Sequence, residues 1–105
     1  MPAARLAPRA ARELRQAAAW IAEHNPAASD AFLAAVLRTA DLIGARPLAG
    51  RARPELGTDT YRFWSLRGYP YLLVYVADAD PPIILRILHQ ARDLPTTLRS
   101  DERQT

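Results

Sequence analysis

Between Arg9 and His24 the apolar positions Leu14, Ala17, Ala18, Ile21 and Ala22 recur at helical spacing, while Arg12, Arg15, Gln16 and Glu23 fall mostly on the other side. This pattern predicts an amphipathic helix. Pro8 suits its first position, where a missing N–H costs nothing, and the short segment Ala3 to Ala7 reads as a first strand. At Asn25-Pro26 the residue before proline is pushed out of the helical region, and Asn25 is placed to cap a second helix that starts at Pro26. That helix runs to about Ile43, with Phe32, Val36, Ala40 and Ile43 on one stripe, Leu33 and Leu37 widening it, and Gly44 positioned to terminate it. Fifteen of the 21 alanines lie in the first 40 residues, so the two helices can approach closely as a hairpin.

From Ala45 to Thr60 the text ARPLAGRARPELGTDT, rich in Arg, Pro and Gly, reads as a loop crossing the surface. The period then changes. Tyr61 to Leu66, Tyr71 to Val76 and Ile83 to His89 are rich in aromatic and β-branched residues and are separated by turn text at Arg67-Gly68-Tyr69-Pro70 and Asp78-Ala79-Asp80-Pro81. Connections this short make neighbouring strands antiparallel. The middle run, YLLVYV, has no polar face and is expected at the sheet centre. The expected fold is α+β in the order β-α-α-β-β-β, a helical hairpin on one face of a small antiparallel sheet. Residues 1–98 make one domain, and the polar tail 99–105 is expected to fray.

A chain of 105 residues has room for a single core. It has no Cys, which excludes disulfides, thiolate-bound zinc and a thiol nucleophile. All 14 of its basic residues are Arg, for a net charge of +3, so no mechanism can use a lysine amine and an acidic partner is plausible. The N-terminus lacks the apolar stretch of a secretory leader, and no apolar run is long enough to cross a bilayer. A soluble, cytoplasmic protein is expected.

Within the strands, Arg62 and Trp64 share a face, whereas Arg86 and His89, three apart, point to opposite faces unless a bulge intervenes. Arg86 interrupts the apolar IILRIL and must reach solvent on the helix-free face or an acid, for which Asp93 is a candidate. His89 has the parity of Ile83, Leu85 and Ile87, the set expected to face the helices. It reads as a histidine at the rim of the core, or as a general acid or base if Arg92 or Glu55 lies within reach. His24 suits the carbonyl end of its helix, Asp78 and Asp80 suit a turn, and the two His without Cys make no metal site. Arg46, Arg51 and Arg53 form a basic loop near Arg62 and Arg67, followed by Tyr61, Phe63 and Trp64. Such interleaving suits single-stranded RNA, an acidic peptide, or aromatic core beneath a solvated loop.

The stretches HNPAASDAFL, RPLAGRARPEL and above all ILRILHQARDL, together with the order of elements, resemble the ParE toxins of the RelE/ParE superfamily of bacterial toxin–antitoxin modules. The likeness runs from about Arg5 to Leu98. It implies a cytoplasmic bacterial toxin, without cofactor or metal, held in a hetero-oligomer by a ParD-like antitoxin whose toxin-binding segment is acidic. It also implies a target, which for ParE-like members is DNA gyrase, poisoned by binding rather than by catalysis. RelE-type relatives instead cut mRNA on the ribosome, using lysines and arginines with an aromatic or histidine group near the C-terminus. This chain has no Lys and no Tyr after His89, which favours the gyrase reading. If it is an RNase, Glu55, Arg62, Arg86 and His89 are the residues for the task, and a partner-binding relative without toxicity is the third alternative. The expected target contacts are Arg62, Arg86 and Arg92, and the expected antitoxin contacts are Arg46, Arg51, Arg53 and Trp64.

Overall fold

A computed structural model describes residues 2–52 and 60–93. Strand β1 (Arg5–Leu6) leads into helices α1 (Pro8–His24) and α2 (Pro26–Ala45), followed by strands β2 (Arg51–Ala52), β3 (Tyr61–Ser65), β4 (Tyr71–Val76) and β5 (Ile83–His89). The helical hairpin and the three main strands stand where the residue pattern puts them. Pro8 opens α1, and Pro26 opens α2 behind Asn25, whose side chain accepts the Ala28 N–H at 3.1 Å as an N-cap. His24 sits at the end of α1, with Nδ1 3.4 Å from the Trp20 carbonyl.

The sheet has the order β1-β5-β4-β3-β2, so the all-apolar β4 is its centre. Two details differ from expectation. The crossing loop is not all loop, because Arg51 and Ala52 pair antiparallel with Phe63 and Arg62. The sheet is also mixed, because β1 runs parallel to β5, with Arg5 opposite Ile83 and Leu6 opposite Ile84. A parallel pair needs a crossover, and here the crossover is the whole molecule between the two strands.

Register decides what faces the helices. Tyr71, Leu73 and Tyr75 of β4 join Ile84 and Ile87 of β5 in one cluster with Leu14, Phe32, Val36 and Ile43, while Leu72, Val74 and Leu88 are buried outside it. Phe32, Val36, Ile43, Leu73, Tyr75 and Ile84 are fully excluded from water. Each aliphatic or Phe side chain among them contributes about 1.5–3 kcal/mol of apolar transfer. Between the helices the small residues leave space for the Ser29 hydroxyl, which donates to the Ala18 carbonyl at 2.8 Å and is thereby satisfied within the hairpin.

Gly44 does not end its helix; α2 continues through Ala45. Its task is close approach: a Cβ there would collide with the backbone of Pro2 and Ala3, and next to that crossing the Ala4 N–H donates to the Ala40 carbonyl at 2.8 Å. Gly68, in the turn between β3 and β4, has a φ of 86°, where a side chain would be strained.

Gly44→Ala is therefore expected to act against helix propensity. Alanine would favour an open helix by about 1 kcal/mol, but overpacking against the N-terminal backbone costs about 1–3 kcal/mol, so the variant should melt below wild type in a thermal unfolding scan.

Candidate functional site

The chemistry-bearing residues are placed by one irregularity. Val74 pairs with Arg86 but Tyr75 pairs with Ile84, leaving Leu85 as an extra residue in β5. The bulge shifts the parity of the first half of the strand, so that Ile84 and Ile87 join the main core cluster rather than Ile83, Leu85 and Ile87 together. His89, beyond the bulge, keeps the parity of Ile87, and Arg86 takes the opposite face.

Arg86 is not paired with Asp93. Its guanidinium grips Glu13 of α1, with Nη2 to Oε2 at 2.9 Å and Nε to the two carboxylate oxygens at 3.1 and 3.2 Å. Oε1 also accepts the Ile87 N–H at 2.9 Å. The interaction is well shielded, with side-chain exposures of 24% for Arg86 and 18% for Glu13. A charge placed in an apolar strand is thus met by an acid from the facing helix, which the pairing of sequence neighbours could not reveal.

Arg62 and Trp64 share a face as expected, opposite Tyr75 and Leu73 in the register. Arg62 Nη1 donates to the Gly50 carbonyl at 2.8 Å and to the Leu48 carbonyl at 3.2 Å. The buried Tyr75 hydroxyl donates to the Pro47 carbonyl and accepts the Gly50 N–H, both at 2.7 Å, and burial pushes its pKa up. Together the two side chains fix the stretch from Pro47 to Gly50, on which Leu48 stands 71% exposed, with exposed Arg46 and Arg51 on either side. Arg53 and Glu55 lie outside the described residues.

At the end of β5, the His89 N–H donates to Asp93 at 2.9 Å, and His89 Nδ1 accepts the Arg92 N–H at 3.2 Å. The His89 ring stands edge-on to Tyr71 at 5.2 Å between centroids, and Tyr71 in turn packs on Phe32. Arg92 Nε bonds Asp93 at 3.0 Å, and this bond holds the Asp93 carboxyl below its ordinary range. The Tyr71 hydroxyl is shifted upward, chiefly by burial.

These residues do not form one group. Arg62 stands opposite Tyr75 and His89 opposite Tyr71, four positions apart along β4 or about 13 Å, with Arg86 on the other face. Only His89 and Arg92, with Asp93, are in contact. Arg62 and Arg86 each direct donors to acceptors within the fold, and Arg92 is bonded to Asp93 at the surface.

A concave feature among the described residues lies elsewhere. A groove of about 470 Å³ between α2 and the β3 end of the sheet is lined by Ala35, Arg38, Thr39, Asp41, Leu42, Trp64, Leu66 and Arg67. The Thr39 hydroxyl is used on the Ala35 carbonyl at 2.8 Å, and Ala35, Leu42, Trp64 and Leu66 make the apolar part of the lining. Arg38 and Arg67, both exposed, make no ion pair among the described residues. Of this lining only Trp64 is among the partner contacts expected from sequence. Leu42 was legible in principle, as a large apolar residue of α2 that the buried stripe does not use; it is 48% exposed.

A solved structure described as the chromosomal ParDE TA system from P. aeruginosa shares this fold, with a TM-score of 0.70 over 85% of this chain and 96% of that chain, at 17% identity. The likeness is one of fold. No curated protein matches the sequence. Residues 4–94 match the model of the ParE toxins of parDE type II toxin–antitoxin systems, and the chain belongs to that family.

Two measurements probe the framework of the site. Tyr75→Phe leaves the Gly50 N–H and Pro47 carbonyl without their partner and should cost about 1–3 kcal/mol in denaturant unfolding. Asp93 has its folded pKa lowered, so its stabilisation is complete above the unfolded value of about 3.9 and is lost as pH falls through the folded one. Asp93→Asn should lower the melting temperature at neutral pH, with the difference from wild type vanishing in acid.

Proposed function

We propose that this chain is a growth-arresting toxin held silent in the bacterial cytoplasm by a ParD-type antitoxin, and that it acts by binding DNA gyrase rather than by cutting RNA. Membership of the ParE family motivates the reading. The observation that carries the choice of mechanism is the dispersal of Arg62, Arg86 and His89 over two faces of the sheet, with both arginines engaged by internal acceptors. Phosphodiester cleavage needs a base, an acid and cationic stabilisation converging on one phosphate. A gyrase poison needs an exposed surface of fixed shape, and the loop pinned by Arg62 and Tyr75 supplies part of one, with Leu48, Arg46 and Arg51 presented outward.

The antitoxin is assigned to the α2–β3 groove. An amphipathic helix or strand can lay apolar side chains against Leu42, Trp64 and Leu66 while its acids meet Arg38 and Arg67. Trp64 would anchor this contact, and Arg46 and Arg51 would extend it along the neighbouring loop.

The antitoxin-free protein should abolish supercoiling by purified gyrase and accumulate cleaved DNA while a translation reaction on the same preparation proceeds. Codon-spaced mRNA cuts with intact supercoiling would overturn the mechanism. Leu42→Asp, at an exposed position, should weaken antitoxin binding ten- to a hundredfold, or about 1.4–2.7 kcal/mol, with the unfolding curve little changed.

A further inference from the structure

Helix α1 carries a feature that neither folding nor the groove uses. The exposed positions of its first half include Arg9, Arg12 and Arg15, three residues apart, and Arg5 of β1 precedes them, also exposed. None of the four makes an ion pair or hydrogen bond through its side chain among the described residues. The one acid in that part of the helix, Glu13, is turned to Arg86 and the Ile87 N–H and is neutralised there.

Stability does not account for this row. Like charges three residues apart on a helix repel, and the first turn of a helix, where Arg9 stands, is where the dipole disfavours cations. The core-facing side of α1, with Ala10, Leu14, Ala17 and Ala18, is complete without them. The surface is also unlike a peptide site, being the convex outer side of a helix. A peptide segment that orders on binding must bury apolar side chains, and the α2–β3 groove offers the place for that. A row of arginines without a pocket suits a ligand recognised by charge alone, and a rigid one, since three arginines on a helix span about 9 Å at fixed spacing.

We propose that the Arg9–Arg12–Arg15 face of α1, with Arg5, binds the phosphate backbone of duplex DNA without sequence preference. Each guanidinium offers paired donors to phosphate oxygens, and binding releases the counterions condensed on the duplex. The contact does not depend on gyrase, although a toxin that grips DNA directly would have a second hold on a DNA-bound enzyme.

The test is fluorescence anisotropy of a labelled short duplex of mixed sequence, titrated with the full chain at several salt concentrations. Four phosphate contacts predict a log–log salt slope near about −3.6, so affinity should fall about 100-fold between ~50 and ~200 mM salt. The triple variant R9Q/R12Q/R15Q keeps good helix formers at exposed positions and should fold as well as wild type. Its slope should drop to about −1, and its affinity should fall only about three- to fourfold over the same range. R38Q/R67Q, at the groove, should leave the slope unchanged. A wild-type slope shallower than about −1, or a folded triple variant that retains the wild-type slope, would overturn the proposal. So would a tenfold loss of antitoxin affinity in the triple variant with DNA binding intact, which would give the row to the antitoxin. Gyrase inhibition, measured separately, reports on the target and not on this contact.

Discussion

The carboxylate of Glu13 is the junction on which the arrangement of helix and sheet depends. Strand β1 is only two residues long, and its last bond to β5 runs from the Ala7 N–H to the Ile84 carbonyl. Beyond that point the outer edge of β5 has no strand beside it among the described residues. Glu13 takes over, accepting the Ile87 N–H with one oxygen and the Arg86 guanidinium with both. One side chain thus closes a sheet edge, neutralises a cation within an apolar strand and sets the position of α1 over β5. Removing one member would leave a shielded charge uncompensated, so the three groups stand or fall together.

Sorting the arginines by what they hold clarifies the division between framework and surface. Arg62 and Arg86 bind carbonyls or a carboxylate within the fold, and Arg92 is tied to Asp93, although most of its side chain remains open to solvent. Arg38 and Arg67 stand beside an apolar groove, and Arg9, Arg12 and Arg15 line a convex helix. These are two different environments for a cationic side chain. A groove with Trp64 at its wall rewards shape and apolar burial, whereas an open row of guanidinium groups rewards charge density.

Much of the architecture was legible because local rules and burial agree. Asn25-Pro26 both stops one helix and starts the next, and YLLVYV has no polar face with which to be anything but central. The misplaced details come from contacts distant in sequence. Gly44 looks like a terminator because glycine usually is one, but the backbone that crowds it belongs to Pro2 and Ala3. The Leu85 bulge leaves no mark in an apolar run where every residue suits a strand. Arg86, expected to reach solvent or an acid, takes an acid, yet the candidate suggested along the chain, Asp93, is committed to His89 and Arg92. The groove is hidden in the sequence for a related reason, since Leu42 and Trp64 come together only once α2 lies on the sheet.

The parallel pairing of β1 with β5 has a consequence for the order of events during synthesis. Arg5 and Leu6 are made well before the strand they dock on, Ile83–His89. Until it emerges, α1 has neither the β5 surface nor the Arg86 that engages Glu13, and the sheet lacks the strand next to its centre. The nascent chain therefore cannot complete its core one element at a time, and the closing contacts are those that form slowly because they span the sequence. For a protein proposed to be harmful to its own cell, this means that the fold closes only once β5 has been made, leaving an interval in which the earlier elements are exposed without it.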